Sequence, residues 1–425
     1  MLLPGERLDV VLFGATGVTG GNAVPYLAER AETLGLRWAV AGRRPQDLMR
    51  DVADLPLAQQ PEVLEADLDE PVTLRELAAS ARVVINAVGP YRRSAEPVIA
   101  SCVEAGAHYL DVTGETDVVA DMLHRFDDPA RAAGVRIVQA AGYEALPFDL
   151  AVALATEAAA ARGARLVAAD AIASFALPPG LPRPSDGISG GTYASTVAAV
   201  RQGRFEILFD PASLLQDPEE ASRVRASSPL GTLPRLSGTS VVFPLAPSPF
   251  TNPPMVHRTA SVLRGEGSGP SPEFRYREGI SLGDGLLTLP VQLALAAPIG
   301  AATAGATWLA RLAPQPLRDV AAAALERVGP DPGSGPRQDR LEGWRWRLEV
   351  IGRADDGGTD RVVVDADGHP GYLATSRMLA EAALLLADDT ANLPDRAGHL
   401  TPALALGTAE VERFAQAGVR IRLVA

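Results

Sequence analysis

One cysteine and no lysine occur in 425 residues, and aromatic residues make up only 5%. The single thiol, Cys102, excludes an intramolecular disulfide and any cysteine-built metal cluster, and no metal site is expected. All 39 basic side chains are arginine, so no Tyr-x-x-x-Lys pair is available for proton transfer. A basic face is missing as well. The formal charge is −13 and the sequence pI is near 5.0, which excludes a nucleic-acid partner, because neutralising phosphates requires clustered cations. No charged segment followed by an apolar run opens the chain, so the expected compartment is the cytoplasm.

Glycine, by contrast, recurs wherever an apolar run ends. Val10 to Phe13 reads as a buried parallel strand, and Gly14-Ala-Thr16-Gly17-Val18-Thr-Gly20 follows it directly, before a helix expected over Asn22 to Thr33. Such spacing lets the backbone turn tightly and approach a pyrophosphate, whose charge then meets the free N–H groups that open the helix. The alternative is a glycine-rich turn without a ligand; the strand before and helix after favour the dinucleotide. The next strand, Trp38 to Ala41, ends in Gly42-Arg43-Arg44, where an NAD-specific site places an acid for the ribose 2′-hydroxyl. Two guanidiniums suit a 2′-phosphate, so NADP(H) is the expected cofactor, the alternative being arginines that cap a surface turn. Asp67, at the end of a third short strand, is a candidate for the adenine or else a solvated strand-end acid. Ala87-Val88-Gly89, after the strand Ala81 to Asn86, should flank the ribose and nicotinamide. Strands near His108 and Val135 continue the alternation, which defines a doubly wound parallel sheet of the Rossmann type.

Near Pro147 the pattern changes, and 425 residues exceed one compact core, so two domains are expected. Longer strands with turn-rich connections follow: Arg165 to Phe175, Gly238 to Phe243, Val256 to Leu263 and Glu273 to Tyr276. Trp344 to Gly352 and Asp360 to Asp365 read as a hairpin. This is an α+β domain with an antiparallel sheet. Pro-rich segments at 177–184 and 244–254 and the Gly/Pro-rich segment 328–338 read as loops. Gly285 to Ala310 carries no charge and is long enough to cross a bilayer, but Pro290, Pro298 and Gln292 interrupt it. It reads as a buried or substrate-covering helical hairpin, with membrane-surface contact as the alternative. An alternating sheet also allows a homodimer.

Taken in order, Gly14 to Gly20, Ala41 to Arg43, Asn86 to Tyr91, Tyr109 to Glu115, Gly142 to Asp149, Ser189 to Ser195, Gly333 to Arg337, Gly371-Tyr372 with Thr375 and Glu381, and Gly398 to Ala403 resemble the saccharopine dehydrogenase-like oxidoreductases. The likeness is closer to the branch of the trans-acting enoyl reductases of lipid and polyketide pathways. It implies a Rossmann domain over 1–148, an inserted substrate or dimerisation domain over 149–368, and a segment over 369–425 whose helices return to complete the first. Gly418 to Val424 is expected as an edge strand. The chain departs from the family at Gly368-His369-Pro370, where the usual turn has an acid, and at Tyr143-Glu144-Ala145, which alters the loop nearest the expected nicotinamide. His369 reads as a turn residue or a substrate contact.

The implied chemistry is NADPH-dependent reduction of an enoyl C=C or a carbonyl on a hydrophobic or carrier-bound substrate. Tyr143, Tyr91 and Glu144 lie in loops at strand carboxyl ends and are the candidate proton donors. Tyr193 and His257, in the second domain, are candidate substrate contacts. Cys102 and Asp149 read as a buried small hydrophobe and a helix N-terminal acid. Two other readings stay open: a saccharopine-type amino-acid dehydrogenase, and a non-redox cyclase, isomerase or dehydratase on a retained nucleotide scaffold.

Overall fold

The computed structural model describes residues 7–55, 57, 60–179, 197, 201, 207, 210–228, 234–237, 240–243, 248–281, 283, 290, 292, 294, 313–328 and 338–424. Tyr193, residues 180–184 and 329–337, and all of 285–310 except Pro290, Gln292 and Ala294 lie outside them. Two units divide the chain: Met1–Thr113, Val118–Leu146 and Gly368–Val419 form one, and Gly114–Asp117, Pro147–Asp367 and Arg420–Ala425 the other.

In the first unit β1 (Leu8–Phe13), β2 (Trp38–Gly42), β3 (Glu62–Glu65), β4 (Ala81–Asn86), β5 (His108–Asp111) and β6 (Arg136–Val138) alternate with helices α1 (Val18–Leu34), α2 (Pro45–Ala53), α3 (Pro71–Ser80), α4 (Tyr91–Ala105) and α5 (Thr116–Ala133). The central strands β1, β2 and β4 are mostly apolar, as strands of a parallel sheet covered on both faces are, whereas the edge strand β3 carries exposed Glu62 and Glu65. Helices α1 and α4 stop at Gly35 and Gly106, both left-handed with φ 67°, whose N–H groups bond the last carbonyls. Strand order is β13-β6-β5-β4-β1-β2-β3, all parallel, where β13 is Gly398–Leu400. The first six strands follow the order of a dinucleotide-binding fold, and the order in which strands are added reverses between β1 and β4.

In the second unit α6 (Leu146–Ala160) leads to β7 (Leu166–Ala176), followed by α7 (Pro218–Ser227), β8 (Arg235–Ser237), β9 (Ser240–Phe243), α8 (Ser248–Gly265), β10 (Arg275–Ser281), α9 (Gln315–Val328), α10 (Gln338–Leu341), β11 (Arg345–Ala354) and β12 (Thr359–Asp367). The hairpin of β11 and β12 turns at residues 355–358, as its alternation implies. Three expectations are corrected. The sheet, ordered β14-β12-β11-β7-β10-β9-β8, is mixed and not purely antiparallel: β10 runs parallel to β7, from Arg275 beside Ala168 to Ile280 beside Ala173. The long connection between those strands, which holds α7 and α8, supplies the crossover that a parallel pair requires. Val256 to Leu263 is helix within α8, not strand, and the segment expected as a loop to residue 254 is helical from Ser248. Thr251 to Ala260 are all buried, so the helix is enclosed on every side over this stretch and shows no strand-like alternation of burial. Finally, β14 (Val419–Val424) is an edge strand of this second sheet, where Arg420 and Arg422 pair with Asp367 and Asp365. Among the described residues no helix is long and apolar enough to cross a membrane.

The C-terminal return within the first unit consists of a π-helical turn (Pro370–Ala374), α11 (Thr375–Ala387), α12 (Pro402–Leu406) and a 3-10 turn (Val411–Ala415). Every residue of α11 except Arg377 is buried, and it packs on α1, β1 and β4. Glu381, at its centre, is fully buried. It accepts from Tyr26 Oη at 2.6 Å and Arg30 Nε at 3.1 Å on α1, and from Arg413 Nε at 3.1 Å on the 3-10 turn. Removing its charge leaves two arginines, 13% and 19% exposed, without their shared carboxylate. Glu381→Gln should therefore cost about 3 kcal/mol of stability. Urea unfolding checks this, and an unchanged midpoint would refute the role given to the carboxylate.

Candidate active site

The reversal between β1 and β4 places the turn after Phe13 beside the turn after Asn86. Ala87 N donates to Phe13 O at 2.8 Å, and Gly17 N to Gly14 O at 3.1 Å. The glycines of the motif divide into two kinds. Gly14 has φ 97°, and a Cβ there would lie 2.7 Å from Val88 Cγ2 and 3.0 Å from Ala87 C; at Gly20 a Cβ would lie 2.2 Å from Gly14 O. Those two are glycine because the fold allows nothing larger. At Gly17 the nearest atom is Gly14 O at 3.4 Å, an ordinary contact. Its bareness is not required by internal packing, and it stands at the N-cap of α1, whose first turn contains no acid. This is a cradle for an anion at a helix N-terminus. Thr16 and Val18 flank it in the same turn.

At the end of β2, Arg43 is exposed and makes no ion pair among the described residues. Arg44 is held by Asp47 at 3.3 Å across the first turn of α2. Asp67, half-buried after β3, accepts from Asp69 N at 3.0 Å. The backbone of Val88 is fixed on both sides: its N–H donates to Asn86 Oδ1 at 3.1 Å and its carbonyl accepts from Ser94 Oγ. Gly89 joins Pro90 by a cis peptide leading into α4. The glycine cradle, a guanidinium without a carboxylate and this fixed loop fit a dinucleotide phosphorylated at the 2′ position.

Beneath the loop lies a buried network that the sequence reading did not assign. Asn86 Nδ2 donates to Tyr109 Oη at 3.0 Å, and Tyr109 Oη donates to Asp111 Oδ2 at 2.8 Å. Asp111 also accepts from Gln139 Nε2 at 2.8 Å, Thr113 N at 3.0 Å and Ala140 N at 3.1 Å. His399 Nε2 lies 2.9 Å from Gln139 Oε1. Burial raises the Asp111 carboxyl to about 6 despite donors on both oxygens, which favour the charged form. The available signal was a single acid ending the apolar run His108 to Asp111.

The turn after β6 carries the other predicted residues. Ala140 and Ala145 have φ of 56° and 73°, unusual for residues with a Cβ, and Ala141 bridges Ala145. A Cβ at Gly142 would lie 2.7 Å from Thr375 Cγ2, and Tyr143 N donates to Thr375 Oγ1 at 2.9 Å. Tyr143 is buried, whereas Glu144 is half-buried and burial raises its carboxyl above the ordinary glutamate range. Tyr91 Oη donates to Asn86 O at 3.4 Å. Tyr91, Tyr143 and Glu144 thus share the carboxyl edge of one sheet. His369 is a buried turn residue 4.7 Å from the Tyr372 ring, and its carbonyl accepts from Ala374 N.

His257 belongs to α8 of the second unit. It is 1% exposed, with Phe274 and Tyr276 edge-on at 5.8 and 6.5 Å, and burial lowers its imidazole to about 4. Nearby in that unit Tyr276 Oη donates to Glu278 at 2.7 Å, and Asn252 donates to the same carboxylate at 3.3 Å. Cys102 is buried inside α4, and Asp149 sits in the first turn of α6.

Two tests follow from this geometry. Gly17→Val should leave the melting temperature near that of the parent and abolish dinucleotide binding, whereas Gly20→Val should lower the melting temperature itself. Equal melting losses in both would remove the distinction. Because the Asp111 carboxyl is raised in the folded state, its contribution is complete below the ordinary aspartate value near 4 and is lost as pH rises through about 6. Asp111→Asn lacks that titration. Its stability relative to the parent should improve by on the order of 3 kcal/mol between pH 4 and 7. A pH-independent difference in urea unfolding would contradict the raised value.

A sequence profile of the saccharopine dehydrogenase NADP binding domain matches residues 10–138. A Mycobacterium tuberculosis H37Rv protein provisionally named a trans-acting enoyl reductase is 34% identical, covering 98% of this chain and 97% of its own. The trans-acting enoyl reductase of Mycobacterium ulcerans Agy99 is 33% identical over 97% of each chain. Apo saccharopine dehydrogenase (L-Glu forming) from Saccharomyces cerevisiae, 13% identical, superposes over 99% of this chain and 100% of its own with a TM-score of 0.51, a likeness of fold. Aligned end to end with those relatives and matched in its first unit to that domain, the chain belongs to the saccharopine dehydrogenase-like oxidoreductases, in the branch that holds the trans-acting enoyl reductases.

Proposed function

We propose that the protein is an NADPH-dependent reductase of an enoyl C=C on a hydrophobic, carrier-borne acyl chain. The observation that carries the cofactor half is Gly17: a bare position at an acid-free helix N-terminus, where internal packing would tolerate a side chain. Arg43, without a carboxylate partner among the described residues, supports a 2′-phosphate. The enoyl half rests on the names of relatives aligned along nearly their whole length.

A bound reduced nicotinamide supplies a hydride to the electron-poor carbon of the conjugated bond. The protein's own tasks are to hold the loop at Val88, to exclude water and to deliver one proton to the other carbon. Glu144 is the best placed donor, because it is half-buried at the carboxyl edge of β6 and its carboxyl is raised toward the range a general acid needs. Tyr143 walls the same turn. Tyr91, turned back onto the Asn86 carbonyl, supports the loop.

Purified protein mixed with NADPH and a medium-chain enoyl thioester should lose the reduced-nicotinamide absorbance with formation of the saturated thioester. Glu144→Gln should lower kcat about a hundredfold with NADPH affinity unchanged. Arg43→Gln should weaken NADPH about tenfold or more, and NADH little. Bound NADPH left unoxidised by enoyl thioesters would overturn the reductase reading, and turnover with a 2-oxo acid and an amino acid would replace it with the amino-acid dehydrogenase reading.

A further inference from the structure

The second sheet has a concave site of its own, separate from the glycine cradle. A cavity of about 360 Å³ opens on the sheet face that carries Ala168 and Asp170 of β7, Arg235 of β8, Arg275 and Arg277 of β10 and Arg353 of β11. Its floor follows from register. Ala168 has Arg275 beside it on one neighbouring strand and Arg353 on the other, and Asp170 has Arg277 beside it. With strands about 5 Å apart, Arg275 and Arg353 stand roughly 10 Å from each other across a methyl group. Asp170 is already engaged by Arg235, whose Nη1 lies 3.2 Å from its Oδ2. Arg275, Arg277 and Arg353 are exposed and make no ion pair among the described residues.

The cavity therefore sets four guanidiniums against one carboxylate, in a chain whose net charge is −13. No two strands that carry these arginines are neighbours, so the sheet bears them without direct cross-strand repulsion, and the excess positive charge is left facing the cavity. Guanidinium forks present paired N–H donors that match phosphoryl oxygens two at a time. The terminal oxygens of a linked diphosphate are enough to serve three such forks, and the volume lies at the small end of the range for ligand pockets. We propose that this arginine-lined cavity is a second anion site of the protein, built for a ligand that carries a diphosphate group. Occupancy neutralises the facing arginines and stabilises the second sheet.

Calorimetric titration with inorganic pyrophosphate tests this on the full chain. In the Gly17→Val background, which disables the first site, one pyrophosphate per chain should still bind. Arg275→Gln/Arg353→Gln should weaken that binding at least tenfold, and raising chloride from low to physiological concentration should weaken it in the parent. Arg361→Gln, an exchange on the same face outside the cavity, should leave it unchanged. Both substituted cavity residues are exposed, so the double variant should keep the parent's melting temperature in the absence of pyrophosphate and its NADPH affinity, which verifies the fold. Absence of binding in the Gly17→Val chain, or equal affinity with and without the two arginines, would overturn the proposal. So would a double variant whose only change is a shift from dimer to monomer in sedimentation, since the arginines would then face a second copy.

Discussion

A buried carboxylate far along the chain holds the N-terminal nucleotide turn in place. Glu381 receives Tyr26 and Arg30 from α1 and Arg413 from the end of the chain, with no solvent access to screen the interaction. An ion in that position is costly to desolvate, and only well-directed donors compensate. Helix α1 begins at Gly17 and is packed along its length by α11, so the direction of its N-terminal N–H groups depends on the returning segment. Ser376 adds a direct tie, donating to Thr19 O at 2.8 Å in the first turn of α1. Stretches from both ends of the chain are therefore tied together beside the glycine cradle, through Glu381 and Ser376.

The carboxyl edge of the same sheet follows a second rule, in which polar burial fixes loops that apolar packing would leave loose. Asp111 faces donors from its own loop, from β6 and from Tyr109, and Tyr109 passes the connection on to Asn86 and so to Val88. A break at any member strands a donor or acceptor away from water, which is more costly than the bond it replaces. Strained alanines at 140 and 145 are held in the same neighbourhood, consistent with a turn shaped by surrounding constraints and not by its own preference. Thr375 closes that turn from α11, so the glycine-rich turn after β1 and the turn after β6 are both secured by one helix.

How much of this was legible from sequence varies with the range of the interaction. Apolar runs ending in glycine identify parallel strands because burial on both faces leaves no polar position, and β1, β2 and β4 were readable on that ground alone. Val256 to Leu263 was misread because Val256, Ala260 and Val262 fall on alternate positions as in a strand, while Val256, Ala260 and Leu263 fit a helix's period equally well, and the sequence does not decide between them. The destination of β14 was illegible for another reason: alternating Val419, Arg420, Ile421 and Arg422 specify an edge strand but not which sheet supplies the edge. Asp170 and Asp111 read alike as single acids in apolar strands. Their different fates, one on an open face and one buried, depend on neighbours more than twenty residues away. Gly14, Gly17 and Gly20 also look equivalent in sequence, and only the positions a Cβ would take separate the two that serve the fold from the one that faces outward.

The exclusive use of arginine gives the charge distribution its meaning. Acids outnumber bases, 52 to 39, so a guanidinium in this chain has carboxylates to choose from, and where the fold is tied together it takes them: Arg30 and Arg413 on Glu381, Arg162 on Asp360, Arg225 on Asp210. Arginine suits that work because its fork is weakly hydrated and binds carboxylates at two points. Other arginines, Arg75, Arg223 and Arg345 among them, are exposed without a carboxylate among the described residues. Arg43, beside the glycine cradle, and Arg275, Arg277 and Arg353, around one cavity, share that state and stand in concave or loop-edge positions. On the readings proposed above, their counter-ions are phosphoryl groups of bound ligands, which a guanidinium fork meets two oxygens at a time.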